Sequence, residues 1–397
     1  MEPEGDGLNE PVPVLQFANQ FAIGGAEGQF VARVRALPER FRPVVACVHK
    51  EGPNLQAIEE IGLHVEVFGL TGSLARPSTG KQIVRLAAFL VQNRIKLVHA
   101  NDFYTNVLAV PAARLAGAKV IASRFDLAHW YSPQAHVVEA LACRAADAVY
   151  VNARAVRDMC VREEAVSARR VVVVHNGIDL TRFDRARGQP LQAPVPGLEL
   201  RGDGKSRRPA VVLVGNLYPV KGHLDLIEAV EEVRRRIPDV LVLCAGEGVM
   251  RPSVEQQIRA RGLGDTVVLL GHRLDVPALL DRAHVGCLPS HAEGLSNAVI
   301  ESMAAGLPVV ATSVGGNVEL VEEAVTGHLV PAHRPALLAD RLVTLLSAPD
   351  QARKLGSRGR ARVEADLTLA AMARKTGELY DAVLAGQSPA ERLPLAA

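Results

Sequence analysis

The sequence predicts an α/β protein made of two tandem, doubly wound Rossmann-like domains, and three observations lead to this fold class. Short runs of β-branched and apolar residues alternate with segments of helical periodicity, which is typical of parallel βαβ units. The alternation stops once near the middle of the chain and then starts again. The length of 397 residues suits two domains of ordinary size.

The first series contains seven predicted strands. They are Val12–Phe17, Arg42–Val48, His64–Phe68, Leu97–His99, Lys119–Ser123, Ala148–Val151 and Arg170–His175. Helical patterns lie between most of these strands, and the clearest are Ala26–Ala36, Gln56–Ile61, Gly80–Asn93 and Thr105–Leu115. We therefore expect an N-terminal domain over residues 1–188.

Residues 185–208 are rich in glycine, proline and arginine and lack an apolar period, so we predict a linker over 189–208. The strands predicted after it are Ala210–Gly215, Val240–Ala245, Val267–Leu270, Val285–Pro289 and Val309–Thr312. We expect a C-terminal domain over 209–370, a helix over 371–386 that could cross back to the first domain, and a tail over 387–397. Two such sheets would leave a cleft at their carboxyl ends, where open α/β sheets bind ligands.

The composition excludes several classes of function. The 45 basic and 43 acidic residues nearly balance, and aromatic residues make up only 4%, which argues against a nucleic-acid-binding protein. The five cysteines form no CxxC pair and are predicted to be buried thiols in a reducing compartment. The first 14 residues lack the features of a signal peptide, and no apolar run is long enough to span a membrane. These features predict a cytoplasmic protein.

The stretch HAEGLSNAVIESMAAGLPVVATSVGG, which begins at His291, follows a predicted buried strand. Ser296 is placed to cap a helix, and Gly306 stands where a helix-ending glycine belongs. We therefore predict a loop followed by a helix over Asn297–Ala305. Its N-terminus offers free N–H groups and a dipole that favour an anion such as a diphosphate.

Two carboxylates in this stretch fall on different elements. Glu293 lies on the loop after the strand, and Glu301 lies in the second turn of the helix. The Ala- and Met-rich helix looks packed, so we expect Glu301 to need a hydrogen-bond partner, such as a ligand hydroxyl. The alternative is that Glu301 simply faces solvent.

Several motifs resemble those of one enzyme family. The pattern E-G-x6-E from Glu293, followed by G-x-P-V-V-A-T, resembles the signature of family-4 glycosyltransferases, which are retaining enzymes of the GT-B fold. The resemblance continues in GGAE (24–27), VHNGIDLTRF (174–183), VGNLYPVKGHLDLIEA (214–229), GGNVELV (315–321) and TGHLVP (326–331). These motifs follow one another in order and cover nearly the whole chain.

The resemblance implies roles for the residues of the donor site. Glu301 would hold the ribose hydroxyls of the nucleotide, Glu293 would face the donor sugar and act in catalysis, and Lys221 would contact the diphosphate. The residues that would present backbone amides to phosphate and sugar are Gly294, Leu295, Ser296 and Asn297.

Three further donor-site residues follow from the resemblance. Gly25 would let the backbone approach the diphosphate, since a Cβ would obstruct it, and the loop at His272 and Arg273 would border the base. The family normally works without a metal, and the chain contains no D-x-D motif. We therefore expect no cofactor and no metal, with a UDP- or GDP-sugar as co-substrate.

The sequence departs from the family pattern at two places. Asn216 replaces the usual arginine, which removes one cation from the diphosphate site. Arg124 stands near the position where many relatives carry a histidine, and we expect it to supply the missing charge as a catalytic residue. The alternative is that Arg124 pairs with Asp126 or Asp102.

The acceptor side is less well defined by the sequence. His99, Asn101 and Asp102 end a predicted strand and could contact the acceptor, although His99 could instead be a core histidine. Membrane contact could come from a basic face of the first domain, or that face could simply be solvated. Its residues are Arg76, Lys81, Arg85, Arg94 and Lys96.

We therefore predict a retaining hexosyltransferase that moves a sugar from a nucleotide-diphospho-sugar to a glycan or lipid-linked acceptor, in the synthesis of exopolysaccharide, lipopolysaccharide or another cell-envelope glycan. It could lie on the inner face of the plasma membrane. The alternatives are a non-catalytic nucleotide-sugar-binding relative and a GT-B nucleotide-sugar epimerase. A Rossmann dehydrogenase is disfavoured because no G-x-G-x-x-G follows the first strand.

Overall fold

The computed structural model describes residues 10–394 except 71, 73, 75, 128–130, 201 and 203. The chain divides into two compact units. The first unit comprises the residues up to Gly177 and those from Leu369 onward, and the second unit is the continuous segment Ile178–Thr368. Residues 189–208, expected as a linker, belong to the second unit because their backbone bonds to it. Gln192 N donates to Asp275 at 2.8 Å.

The described part of the first unit contains a sheet of seven parallel strands in the order β3-β2-β1-β4-β5-β6-β7. The strands are β1 (Val12–Ala18), β2 (Phe41–Cys47), β3 (Val65–Val67), β4 (Leu97–Ala100), β5 (Lys119–Arg124), β6 (Ala148–Val151) and β7 (Val171–Val173). The central strands are buried almost throughout, as expected for a parallel sheet covered on both faces. All seven predicted strands are confirmed.

Helices connect these strands and cover the sheet. The first six are α1 (Gly25–Arg35), α2 (Leu55–Glu59), α3 (Pro77–Gln92), α4 (Phe103–Ala116), α5 (Pro133–Ala145) and α6 (Arg154–Arg162). Asp102 caps α4 and forms a reciprocal capping box with Thr105.

The second unit contains a sheet of six parallel strands among its described residues, in the order β10-β9-β8-β11-β12-β13. The strands are β8 (Ala210–Val214), β9 (Leu241–Ala245), β10 (Val267–Gly271), β11 (Val285–Leu288), β12 (Val309–Thr312) and β13 (Gly327–Val330). The sequence reasoning did not identify β13, which is short and begins with a glycine. Gly327 is needed there because a Cβ would clash with the Val309 carbonyl on the neighbouring strand.

The helices of the second unit are α7 (Leu180–Ala186), α8 (His223–Arg236), α9 (Arg251–Ala260), α10 (Val276–Arg282), α11 (Asn297–Ala304), α12 (Asn317–Leu320), α13 (Pro335–Ser347) and α14 (Pro349–Asp366). A 3-10 turn over Pro219–Lys221 precedes α8. Ser296 caps α11 and Gly306 follows it at φ 75°, so the predicted boundaries of this helix are confirmed to within one residue.

The last helices are α15 (Leu369–Leu384) and α16 (Pro389–Arg392), and both belong to the first unit. Tyr380 of α15 is fully buried, and its hydroxyl lies 2.9 Å from Gln16 Nε2 on β1 and 2.6 Å from His99 Nδ1 on β4. The helix thereby completes the core of the first sheet, with Met372, Leu379 and Val383 packed in the same cluster as Leu97 and Ile121.

The fold confirms the prediction for the cysteines. All five cysteines are free and buried, as predicted. Within the described ranges, no helix combines the length and the apolar character that crossing a membrane requires.

Candidate functional site

The candidate site lies at the point where the strand order of the second sheet reverses. In that sheet β8 and β11 are neighbours although they are not consecutive in the chain, and ligands bind at the carboxyl ends of such strand pairs. The chain that leaves β8 leads to Lys221, and the chain that leaves β11 leads to Glu293. The fold therefore brings together two residues that are 72 positions apart.

Lys221 and Glu293 form an ion pair. Lys221 Nζ donates to Glu293 Oε1 at 2.6 Å, and the hydroxyl of Ser290 donates to the same oxygen at 2.7 Å. The Glu293 side chain is only 8% exposed, whereas that of Lys221 is 25% exposed. The lysine thus neutralises a nearly buried carboxylate and remains open to solvent on one side.

The loop after Glu293 leads directly into a helix N-terminus. Ser296 Oγ accepts a hydrogen bond from Val299 N at 3.3 Å, which caps α11. Gly294, Leu295 and Ser296 are buried, and Asn297 is half-buried. The N–H groups of the first helical turn point toward the carboxyl ends of the strands, where they favour an anion.

The loop after β12 packs against the loop that carries Glu293. Gly315 has φ 48°, and a Cβ there would clash with the carbonyl oxygen of Glu293. The next residue, Gly316, donates its N–H to the Gly294 carbonyl at 2.7 Å. The GG pair after β12 therefore fixes the backbone on either side of the Glu293–Gly294 peptide bond.

The loops after β8 and β11 are also joined to each other. Gly222 lies in the left-handed region at φ 67°, and a Cβ there would clash with the carbonyl oxygen of Pro289. His291 N donates to the Val220 carbonyl at 2.7 Å. These contacts hold the loops that carry Lys221 and Glu293 against each other.

Glu301 lies in the second turn of α11, as predicted, and is half-buried. Burial raises the pKa of Glu301 to about 7, and the charge of Arg182 on α7 partly opposes that rise. The ionised carboxylate is therefore poorly solvated here, and a hydrogen-bond donor such as a ligand hydroxyl would stabilise it.

Comparisons with known proteins agree with this geometry. A family model described as glycosyltransferase family 4 matches residues 23–182, and one described as glycosyl transferases group 1 matches residues 208–348. A D-inositol 3-phosphate glycosyltransferase of Streptomyces scabiei is 32% identical to the chain over 412 aligned residues, which cover 96% of this chain and 87% of that protein. The chain belongs to glycosyltransferase family 4.

Two further relatives extend the comparison. A glycogen synthase of Mycobacterium tuberculosis is 27% identical over 76% of this chain and 72% of its own length. The crystal structure of Anabaena HepE in complex with UDP superposes with a TM-score of 0.78 at 22% identity, over 94% of this chain and 100% of that chain. The predicted family, the GT-B fold and the enzyme class are thereby confirmed, and the protein is a glycosyltransferase.

The other residues predicted for the donor site of the glycosyltransferase, apart from Gly25, lie in the same unit but have different surroundings. Asn216 is half-buried two positions after the end of β8, and His272 is exposed after β10. Arg273 forms a two-pronged ion pair with Asp275, at 2.7 and 2.6 Å. Burial alone would raise the pKa of Asp275, but its hydrogen bonds to Arg273 and to Gln192 N lower it. The Arg273 charge is therefore already matched, whereas His272 is open to a ligand.

In the first unit, Gly25 is exposed at the start of α1, and the acceptor-side predictions separate into two groups. His99 is fully buried between the Tyr380 hydroxyl and Ser123 Oγ, the latter 2.9 Å from Nε2. Burial, with a further contribution from Arg33, holds the pKa of His99 well below its usual value. Of the two alternatives for His99, contact with the acceptor is wrong, and the residue is a core histidine.

Asn101 and Asp102 follow β4 in the first unit. Asn101 is 3% exposed and accepts a hydrogen bond from Arg33 Nη2 at 2.9 Å. Its side chain is therefore part of the buried interior of the transferase and does not face an acceptor. Asp102 is half-buried, and burial raises its pKa to about 6 despite its bonds to Thr105. Because Asp102 is not fully buried, its contact with the acceptor stays a prediction.

Arg124 requires a correction. Its side chain is 2% exposed, and its Nη1 donates to both carboxylate oxygens of Glu164 at 2.7 and 2.9 Å. Its Nε lies 3.6 Å from Glu139, a fully buried acid whose pKa burial raises to about 7. The prediction that Arg124 meets the diphosphate is wrong, because the guanidinium is enclosed and paired with two acids that the sequence reasoning did not consider.

Further residues around the candidate site were not predicted from the sequence. Ser290 comes three positions before Glu293, and Arg182 lies inside the VHNGIDLTRF motif, so both were within reach of a residue-by-residue reading. The role of Gly315 could not be read from its neighbours, because it depends on the approach of another loop to Glu293.

Proposed function

We propose that this glycosyltransferase transfers a sugar, with retention of anomeric configuration, from a nucleoside diphosphate sugar to a glycan or lipid-linked acceptor of the cell envelope. The observation that carries the proposal is the Lys221–Glu293 pair at the strand-order reversal of the second sheet, next to the capped start of α11. Solved structures of the same fold contain UDP and UDP-glucose, which supports a UDP-sugar over other donors.

The proposed roles follow from charge and exposure. Lys221, the partly exposed partner of the pair, meets the β-phosphate together with the N–H groups that begin α11. Glu293 then accepts hydrogen bonds from the hydroxyls of the donor sugar, and its negative charge stabilises the positive charge that develops at the anomeric carbon. Glu301 binds the ribose hydroxyls. In our proposal Lys221 and the N–H groups of α11 serve the diphosphate without a metal.

The proposed reaction breaks the bond between the anomeric carbon and the phosphate oxygen and forms a bond to an acceptor hydroxyl on the same face of the sugar. The electron pair of the broken bond remains on the leaving diphosphate, and the acceptor proton moves to the departing phosphate oxygen. Lys221 and the α11 amides stabilise the charge that grows on this oxygen in the transition state, which is where such donors lower a barrier.

The first test identifies the donor and shows turnover. UDP, GDP, ADP and their common sugars are screened by thermal shift, since a ligand that binds the folded state raises its stability by mass action. The best donor is then incubated without acceptor, and release of sugar to water is measured. We expect slow hydrolysis that Glu293→Gln lowers about 100-fold or more. Glu231→Gln, which removes an acid on α8 that pairs with Arg261, is the control.

Two outcomes would contradict the proposal. If none of the nucleotides and nucleotide sugars raises the melting temperature, the proposed donor site is contradicted. Stabilisation without any hydrolysis would favour a nucleotide-sugar-binding protein that does not catalyse transfer.

We also propose that the first unit contacts the inner face of the plasma membrane through α3 and the turn after it. This surface combines the exposed basic residues Lys81, Arg94 and Lys96 with Val84 and Val91, whose exposures are 63% and 62%. Sedimentation with vesicles that contain anionic lipid tests the contact. Lys81→Glu should weaken binding, and equal sedimentation of both proteins would contradict the proposal.

A further inference from the structure

A cluster of two histidines and one aspartate lies beside the candidate donor site, in the second unit. Asp225 belongs to the first turn of α8, His291 follows β11, and His333 lies between β13 and α13. His291 Nε2 is 3.0 Å from Asp225 Oδ2, and His333 Nδ1 is 3.7 Å from the same oxygen. One potential ligand atom from each of the three residues lies within 4.8 Å of the other two.

The chemistry of this set matches a transition-metal site. Neutral imidazoles and a carboxylate are the ligands that Zn²⁺ takes, and three protein ligands leave a further position for water. Bond lengths of about 2.0–2.1 Å in a tetrahedral site place ligand atoms roughly 3.4 Å apart. The two measured separations lie on either side of that value, so an ion fits with small side-chain movements.

An ordinary ion pair explains only part of the cluster. A hydrogen bond between His291 and Asp225 accounts for two members, but it does not require His333. The backbone of His333 has φ 57°, a left-handed conformation that residues other than glycine rarely adopt. Its ring centroid lies 3.9 Å from that of His291. A shared cation gives a reason for two imidazoles to converge on a single carboxylate oxygen.

We propose that Asp225, His291 and His333 bind one divalent transition-metal ion, with Zn²⁺ the best match. His291 is tied by its backbone to Val220, next to Lys221, and lies two positions before Glu293. The ion therefore links the first turn of α8, which follows Lys221, to the loop that carries Glu293, and it links both to the segment after β13. It is a structural ion that touches no reacting atom, and its existence does not depend on the proposed transferase chemistry.

The test uses the full chain after removal of metal with EDTA and dialysis. Titration with Zn²⁺ by calorimetry, and with Co²⁺ followed by its visible absorption, should give one ion per chain. His333→Ala should weaken binding at least 10-fold, and Asp225→Asn and His291→Ala should do the same. His64→Ala is the matched control, because this exposed histidine also faces an acid, Glu66, but lies in the first unit.

The His333→Ala variant keeps the proposal falsifiable because its side chain is 67% exposed, so the change should leave the metal-free melting temperature unchanged. Added Zn²⁺ should raise the melting temperature of the wild type and not that of this variant. The proposal is overturned if the wild type binds no ion, or if His333→Ala binds Zn²⁺ as tightly as the wild type.

Discussion

Replacing Glu293 with glutamine should tighten the binding of a free nucleoside diphosphate while it lowers turnover about 100-fold or more. The glutamine keeps the shape of the side chain and can still hydrogen bond to Ser290, but it no longer neutralises Lys221. The ammonium group, held at 2.6 Å from the carboxylate in the structure, then becomes available to phosphate at no electrostatic cost.

The size of the effect follows from the exposure of the pair. Exposed ion pairs contribute about 0.2–1 kcal/mol, and removal of one partner from a fully buried pair costs about 3–5 kcal/mol. This pair lies between those limits, with 25% and 8% of the two side chains exposed. We therefore expect a gain of about 1–2 kcal/mol, which corresponds to roughly 5- to 30-fold tighter binding. Lys221→Ala removes a charge-assisted hydrogen bond and should weaken binding about 10-fold or more.

The assay is calorimetric titration with whichever of UDP, GDP or ADP stabilises the wild type most. The free diphosphate carries no sugar, so the loss of a contact between Glu293 and the sugar cannot obscure the result. Glu231→Gln provides the control for loss of one negative charge on the same unit, and its affinity should equal that of the wild type. If Glu293→Gln weakens diphosphate binding as Lys221→Ala does, the glutamate organises the pocket and does not compete for the lysine.

Three further predictions concern stability. Because burial raises the pKa of Glu301 to about 7, its contribution to stability is complete below about pH 4.5 and is lost as the pH rises through 7. The melting temperature of Glu301→Gln should therefore exceed that of the wild type at pH 8 but not at pH 4.5. The corresponding gain in the free energy of unfolding at pH 8 is up to about 3 kcal/mol. Equal pH dependence of the two proteins would contradict this prediction. Tyr380→Phe removes a hydroxyl that two buried side chains contact and should cost about 1–3 kcal/mol in urea unfolding, whereas a loss below about 0.5 kcal/mol would show that water replaces it. Gly315→Ala should lower the melting temperature by the equivalent of about 2 kcal/mol or more and impair donor binding, while Gly264→Ala, where a Cβ meets open space, should do neither.

Local patterns in the sequence are sufficient to predict the layers of the fold and the helix at the candidate site. The strands of both sheets are short, apolar and β-branched, so their positions follow from composition and alternation. The boundaries of α11 follow from Ser296 and Gly306, since capping depends on neighbours within a few residues. Short-range signals are therefore enough to assign Glu293 to a loop and Glu301 to a helix.

Contacts between distant residues could not be predicted in the same way. The burial of Arg124 depends on Glu164, 40 positions away, and the burial of His99 depends on Tyr380, 281 positions away. Glu164 follows α6 and Tyr380 lies on α15, and nothing in the local sequence specifies which polar groups the fold will enclose together. Arg124 and His99 looked available for chemistry because each lies at or near the end of a strand, but the segments packed over them gave no local signal.

The position of α15 determines the order in which the protein can fold during synthesis. The second unit is one continuous segment, so it can fold as soon as Thr368 has left the ribosome. At that point the first unit still lacks Tyr380 and its apolar neighbours on α15, although its own strands were made first. One apolar face of its sheet therefore stays uncovered while the whole of Ile178–Thr368 is translated. Nascent chains stalled just after Thr368 should bind chaperones through the half that was synthesised earliest.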